Sequence, residues 1–149
     1  MAELKDRIAA DLKAAMKSRD QLRLNTLRSA LSGFTYKRSE AGQDLTERDE
    51  IDVVGKLVKQ RADSATEFDK AGRTDLADKE RAEREILLAY LPAQKSPDEI
   101  REAVRSAIAG IPEESRNVGS VMKVVLPAMR GQADGNTVRQ IVGEELNAP

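Results

Sequence analysis

The chain has 149 residues, 34% of them charged and only 3% aromatic, with a net charge of −1 and neither cysteine nor histidine. That length bounds it to one compact domain or two small ones, and the charge balance excludes a globally basic nucleic-acid glove while allowing a local patch. Without thiol or imidazole there is no disulfide, no Cys nucleophile, no His general base and no thiolate or imidazole metal site.

Leu4, Ile8, Leu12 and Met16 recur every four residues and predict a first helix from about Glu3 to Lys17 with one buried stripe. Leu24, Leu27, Leu31 and Phe34 predict a second, failing near Gly42. Thr46, followed by Glu47 and Asp49, is an N-cap for a third helix carrying Ile51, Val54, Val58, Ala65 and Phe68, with Gly72 as its stop. Thr74 opens a fourth that runs to Leu91, where Pro92 ends it.

The stretch "SPDEI" carries the strongest local signal: Ser96 as N-cap, Pro97 at the first helical position and Glu99 closing a capping box. Ile100, Val104 and Ile108 follow before Gly110 and Pro112. "LPAQKSP" reads as a linker, so the chain is divided into residues 1–94 and 95–149. Asn117 caps a helix bearing Val118, Val121, Met122, Val125 and Met129, with Pro127 expected to bend it. Asp134 or Asn136 caps the last helix, with Val138, Ile141, Val142 and Leu146. No stretch sustains strand alternation, so the expected fold is all-α and multihelical, with two helical subdomains, the C-terminal one a three-helix unit.

In "RGQADGNTVRQIV" two glycines and an aspartate interrupt helix-forming sequence. Gly131 is expected to end one helix in a left-handed conformation and Asp134 to start the next, giving a tight αα corner; Gly135 serves close packing or a second backbone excursion. A three-helix unit needs such corners simply to bury its stripes, and that reading stands beside any functional one.

Between Arg116 and Arg139 there are four basic residues and a single acid, Asp134. Arg116, Lys123 and Arg130 are spaced by seven, which on a continuous helix puts them on one solvent face opposite the valine stripe. Such a row suits phosphate contact, and the start of the helix after Asp134 adds N–H groups and a positive dipole end. No aromatic follows Tyr90, so base stacking on an aromatic ring is excluded from this region.

Catalysis finds no support: Asp78, Glu80 and Glu83 are interleaved with Lys79, Arg81 and Arg84, the pattern of solvated ion pairs, and no phosphate loop or nucleophile elbow is present. No cofactor is expected. The first residues, "MAELKDRIAADLK", are amphipathic and charged rather than apolar, and the longest apolar run, Ile86 to Leu91, is far short of a bilayer span. A cytoplasmic protein without membrane contact is the resulting expectation.

Two stretches carry a resemblance. Lys59–Ile100, with a Q-R element, "AGRTDLA" and "YLP", and Val118–Leu146, with "VGSVMK" followed by "GQADG" and "VRQIV", are similar to the GatB/YqeY family. Gly119, Val121, Met122, Lys123, Gly131, Ala133, Asp134, Gly135 and Val142 match its pattern. The resemblance implies a free-standing relative of the tail region of the B subunit of the tRNA-dependent amidotransferase, a carbon-nitrogen ligase that uses glutamine as nitrogen donor. It therefore implies a multihelical fold of two subdomains, contact with tRNA, and amidotransferase or aminoacyl-tRNA synthetase components as partners; the catalytic domains of that enzyme have no counterpart in this sequence. Of the matching residues Lys123 is the obvious RNA contact, while Arg116, Arg130 and Arg139 are RNA-binding candidates on charge alone. Gly119, Gly131, Asp134 and Gly135 are expected to shape the turn that presents them. The rival reading is a protein-protein interaction module in which the charged N-terminal helices dock a partner.

Overall fold

The computed structural model describes residues 3–148, and among these there are seven α-helices, one 3-10 turn and no strand. The chain forms two compact units that divide between Leu91 and Pro92.

The first unit holds α1 (Glu3–Ser18), α2 (Gln21–Ala41), α3 (Glu47–Lys70) and α4 (Thr74–Leu88). Its core joins Leu4, Ile8, Leu27, Ala30, Phe34, Val54, Leu87 and Tyr90. In α1 the expected stripe drifts: Met16 is 54% exposed while Ala15 is buried. Each four-residue step advances about 40° beyond a full turn, so the face centred on Ile8 reaches Ala15, seven residues on, rather than Met16.

Helix ends follow local chemistry. Thr46 and Asp49 form a reciprocal capping box at the start of α3, and α2 stops at Gly42, whose φ of 69° is left-handed. The fourth helix ends at Leu88 rather than Leu91. Pro92 pushes its predecessor out of the helical region, and the chain tightens into i+3 bonds, Tyr90 N–H to the Leu87 carbonyl and Leu91 N–H to the Leu88 carbonyl. Tyr90 thus leaves the helix but stays buried, its hydroxyl donating to Asp11 Oδ2 and its ring lying 5.3 Å from the Arg7 guanidinium carbon.

Between α3 and α4, Arg61 Nε donates to Glu83 Oε2 at 3.2 Å with both side chains largely covered. Mid-helix Gly55 has no atom within 4 Å of the position a Cβ would take. Gly55→Ala is therefore expected to raise stability by about 0.5–1 kcal/mol, by removing the backbone freedom glycine contributes to the unfolded chain. Gly131→Ala, at a φ of 75°, is expected to cost about 1–2 kcal/mol. Urea denaturation of the two variants reads the opposite signs directly.

The second unit holds α5 (Pro97–Ala109), a 3-10 turn (Glu113–Ser115), α6 (Val118–Ala128) and α7 (Gly135–Leu146). Ile100 and Val104 from α5, Val121, Met122 and Val125 from α6, Met129 after it, and Val138, Ile141 and Val142 from α7 make one core. Pro127 falls in the last turn of α6, so it coincides with the helix end instead of bending a longer helix.

The segment expected to be a linker is anchored within this unit. Gln94 Nε2 donates to the Gly131 carbonyl at 2.7 Å, Lys95 N–H to the Gln132 carbonyl at 2.8 Å, and Gln132 Nε2 to the Ala93 carbonyl at 3.3 Å. Residues 92–96 thus brace the corner between α6 and α7.

Candidate nucleic-acid interface

The corner forms because one residue must turn left-handed after α6. Gly131 does so with a φ of 75°, and Asp134 is the N-cap of α7. Gly135 makes no second backbone excursion, since its φ is not positive, and Leu126 Cδ2 at an ordinary 3.9 Å from where a Cβ would lie leaves room for a small side chain. Gly119 lies instead under the cap of α6, where a Cβ would come within 3.2 Å of Asn117 Oδ1. That oxygen accepts from Ser120 N–H, and Ser120 Oγ accepts from Asn117 N–H, completing a capping box.

Helix α5 likewise carries a reciprocal box between Ser96 and Glu99. At α7 the Asp134 side chain makes no capping bond to the backbone; its Oδ2 lies 3.5 Å from Thr137 Oγ1. The N-cap side chain therefore does not serve the first-turn N–H groups of α7.

The expected row of three cations on one helix is not present. α6 spans only Val118–Ala128, so Arg116 precedes it on extended backbone and Arg130 follows it in the corner. Arg116 is exposed, and its Nε donates to the Ile111 carbonyl at 2.8 Å, closing the loop after α5. Arg130 is half-buried and engaged by neighbouring groups. The seven-residue spacing fails because the helix is too short to carry it.

What remains is a pair. Lys123 on α6 and Arg139 on α7 are both exposed, and neither side chain forms an ion pair or hydrogen bond with a described residue. Leu126, one turn after Lys123, comes within 3.9 Å of where a Cβ on Gly135 would lie, and Arg139 lies one turn after Gly135. Residues three and four apart share a helix side, so both cations sit toward the side where Leu126 meets the start of α7.

The other arginines of the unit are occupied within the fold. Arg101 bridges Glu145 and Glu144 at 2.8 Å each, and Arg105 Nε donates to Glu145 Oε2 at 3.0 Å, tying α5 to α7. Glu145, hydrogen-bonded first by Arg105 and then by Arg101, has its carboxyl held below the usual range, as has Glu144, bonded by Arg101 and Gln140. A depressed carboxylate stabilises the fold above its ordinary pKa, and that contribution is lost as pH falls through the lowered value. Charge is thereby sorted along the unit: the acids lie in residues 98–114 and 144–145, apart from Asp134, which is itself engaged.

Among the described residues no group of three or more acidic side chains is placed to hold a metal ion, and no helix is long and apolar enough to cross a membrane.

The family model described as Yqey-like protein matches residues 5–146. The chain belongs to that family. Relatives include proteins named altered inheritance of mitochondria protein 41, mitochondrial: one from Pyrenophora tritici-repentis is 33% identical over 146 residues, covering 95% of this chain and 80% of the relative. One from Clavispora lusitaniae is 37% identical over 122 residues, 79% of this chain and 71% of the relative. One from Lachancea thermotolerans is 46% identical over 82 residues, 54% of this chain and 44% of the relative. The YqeY part of the sequence resemblance is thus shown over nearly the whole chain.

These names overturn the cytoplasmic expectation, since the relatives are named as mitochondrial proteins. The signal used was an apolar stretch, which marks secretory leaders and says nothing of mitochondrial targeting segments, which are amphipathic and basic.

One residue outside the interface went unnoticed in the sequence. Glu50, 1% exposed, sits four residues before fully buried Val54 on the same stripe of α3. A carboxylate in register with the apolar side of its helix was the available signal.

Proposed function

We propose that the C-terminal unit is a non-catalytic tRNA-contacting module that binds backbone phosphate and shape, accessory to glutamine-dependent tRNA amidotransferase chemistry. The observation that carries this reading is that Lys123 on α6 and Arg139 in the second turn of α7 are both exposed and form no ion pair with an acid among the described residues. Cations neutralise phosphate with release of counterions, and a helix N-terminus adds aligned N–H donors. With no aromatic beyond Tyr90, base stacking on a ring contributes nothing here, and recognition by shape and 2′-hydroxyl or phosphate contacts is what such a surface offers. The resemblance to the amidotransferase tail supplies the link to tRNA. Arg116 and Arg130 support the surface from its edges, the first holding the loop before α6 and the second within the corner.

A protein-docking reading is favoured by a different observation: Val124 and Leu126, beside Lys123 on α6, are 51% and 38% exposed. Apolar side chains in that position suit a protein partner, such as an amidotransferase or synthetase component.

The double variant Lys123→Ala/Arg139→Ala separates the two. On the RNA reading it weakens tRNA binding at low salt and flattens the log–log salt dependence by roughly 0.7–0.9 for each phosphate left without its cation. Stability stays within about 0.5 kcal/mol, both side chains being exposed. A charge-matched Lys13→Ala/Lys17→Ala variant in α1 is expected to bind as the parent does. Equal loss in both variants would assign the effect to net charge alone and overturn the interface.

A further inference from the structure

In the N-terminal unit a groove of about 260 Å³ lies between α2 and α3. Its floor is a close helix contact: a Cβ on Gly33 would stand 2.9 Å from Val53 Cγ1 and 3.9 Å from Leu57 Cδ1. Val53 and Leu57 are only half-buried there, and Tyr36 on the rim is 69% exposed, more than any other large hydrophobic side chain among the described residues. An aromatic standing beside a partly open apolar floor is the anatomy of a contact site, where tyrosine is enriched and anchors binding.

The charges on the rim decide what covers it. Lys37 and Glu40 stand on α2, Asp52 and Lys56 on α3, all of them exposed. They sum to zero, and two carboxylates facing a phosphate chain make a nucleic acid a poor occupant. Their order matters more. The contact of Gly33 with Val53 and Leu57, about two turns from the connection on either helix, sets the register of the two. From the connection inward the rim therefore reads Glu40, Lys37, Asp52, Lys56, alternating acid and cation. A two-fold axis through the middle of the groove, beside Tyr36, reverses that order in a second copy. Glu40 then faces Lys56 and Lys37 faces Asp52, while the two Tyr36 rings meet near the axis. A patch complementary to itself under reversal is what an isologous dimer requires.

We propose that the α2–α3 groove is the contact through which two copies of this chain dimerise, anchored by Tyr36 and held in register by the four rim charges. The groove belongs to the N-terminal unit and does not depend on the tRNA reading.

The test is sedimentation velocity of the full chain over a range of protein concentrations at physiological salt, with circular dichroism to show that each variant is folded. A concentration-dependent dimer is expected, and Tyr36→Ala, at an exposed position, is expected to weaken it about tenfold or more. Lys37→Glu/Lys56→Glu and Glu40→Lys/Asp52→Lys each set like charges against one another and are expected to stay monomeric. Mixed in equal amounts they are expected to form a dimer holding one chain of each kind, which is lost when both also carry Tyr36→Ala. Lys13→Glu/Lys17→Glu on α1 is expected to dimerise as the parent does, separating the groove from net charge. A parent that stays monomeric at every concentration overturns the proposal and leaves the groove to a different protein. Sign-reversed chains that dimerise alone or fail to pair with each other, or undiminished dimerisation of Tyr36→Ala, overturn it as well.

Discussion

Phe34→Ala is expected to cost about 3–5 kcal/mol, the largest single loss available in the N-terminal unit. Phe34 is 2% exposed and the bulkiest fully covered side chain, in a chain with only two phenylalanines, two tyrosines and no tryptophan. It joins Leu4 and Ile8 of α1, Leu27 and Ala30 of α2, Val54 of α3 and Leu87 of α4 in one cluster. No other aromatic stands by to refill the space, because Tyr90 is fixed by its hydrogen bond to Asp11. Since domains of this kind have about 5–15 kcal/mol in total, the variant removes a large share of the margin. Urea unfolding followed by far-ultraviolet circular dichroism reads it; a loss under about 1 kcal/mol would mean that the cluster is not the core described.

Ile141→Ala is expected to remove about 2–5 kcal/mol from the C-terminal unit, which is under 60 residues long. Units of that size bury proportionally less surface and are marginally stable. Ile141 packs with Ile100, Val104, Val121 and Val125, so truncating it loosens α7 from both α5 and α6 at once. Amide signals of the C-terminal unit are expected to collapse while those of the N-terminal unit persist. RNA binding is expected to disappear with them, in contrast to Lys123→Ala/Arg139→Ala, where binding weakens in a folded protein. Persistence of full tRNA affinity in an unfolded C-terminal unit would place the contact elsewhere, the alternative being residues 1–43, whose nine basic and five acidic side chains leave that segment net positive.

Much of the fold was legible because its signals are local. Thr46, Ser96 and Asn117 act as N-caps through side-chain oxygens within three residues of their targets, and Gly42, Gly72 and Gly131 adopt the left-handed turns that favour glycine. The buried side chains of α7, Val138, Ile141 and Val142, follow from spacing alone. The misses needed information beyond one helix. Arg116 and Arg130 fell off the predicted cation row because α6 is only 11 residues long, a length fixed by the Asn117 cap and the turn at Gly131. The bracing of the corner by Gln94 and Lys95 joins residues 37 apart, which no periodicity reports. Lys123 and Arg139 stand out only once the ion pairs of Arg101 and Arg105 are known, whereas Glu50 was within reach of periodicity, four residues before Val54 on the same stripe.

The cation pair is tested most directly by titrating the full chain with tRNA across a range of salt concentrations. Binding strong at low salt, falling with a log–log slope of roughly 0.7–0.9 per phosphate and so with a total of about 1.4–1.8 or more for contacts at Lys123 and Arg139, is the result predicted. No binding at low salt, or binding indifferent to salt, would contradict it.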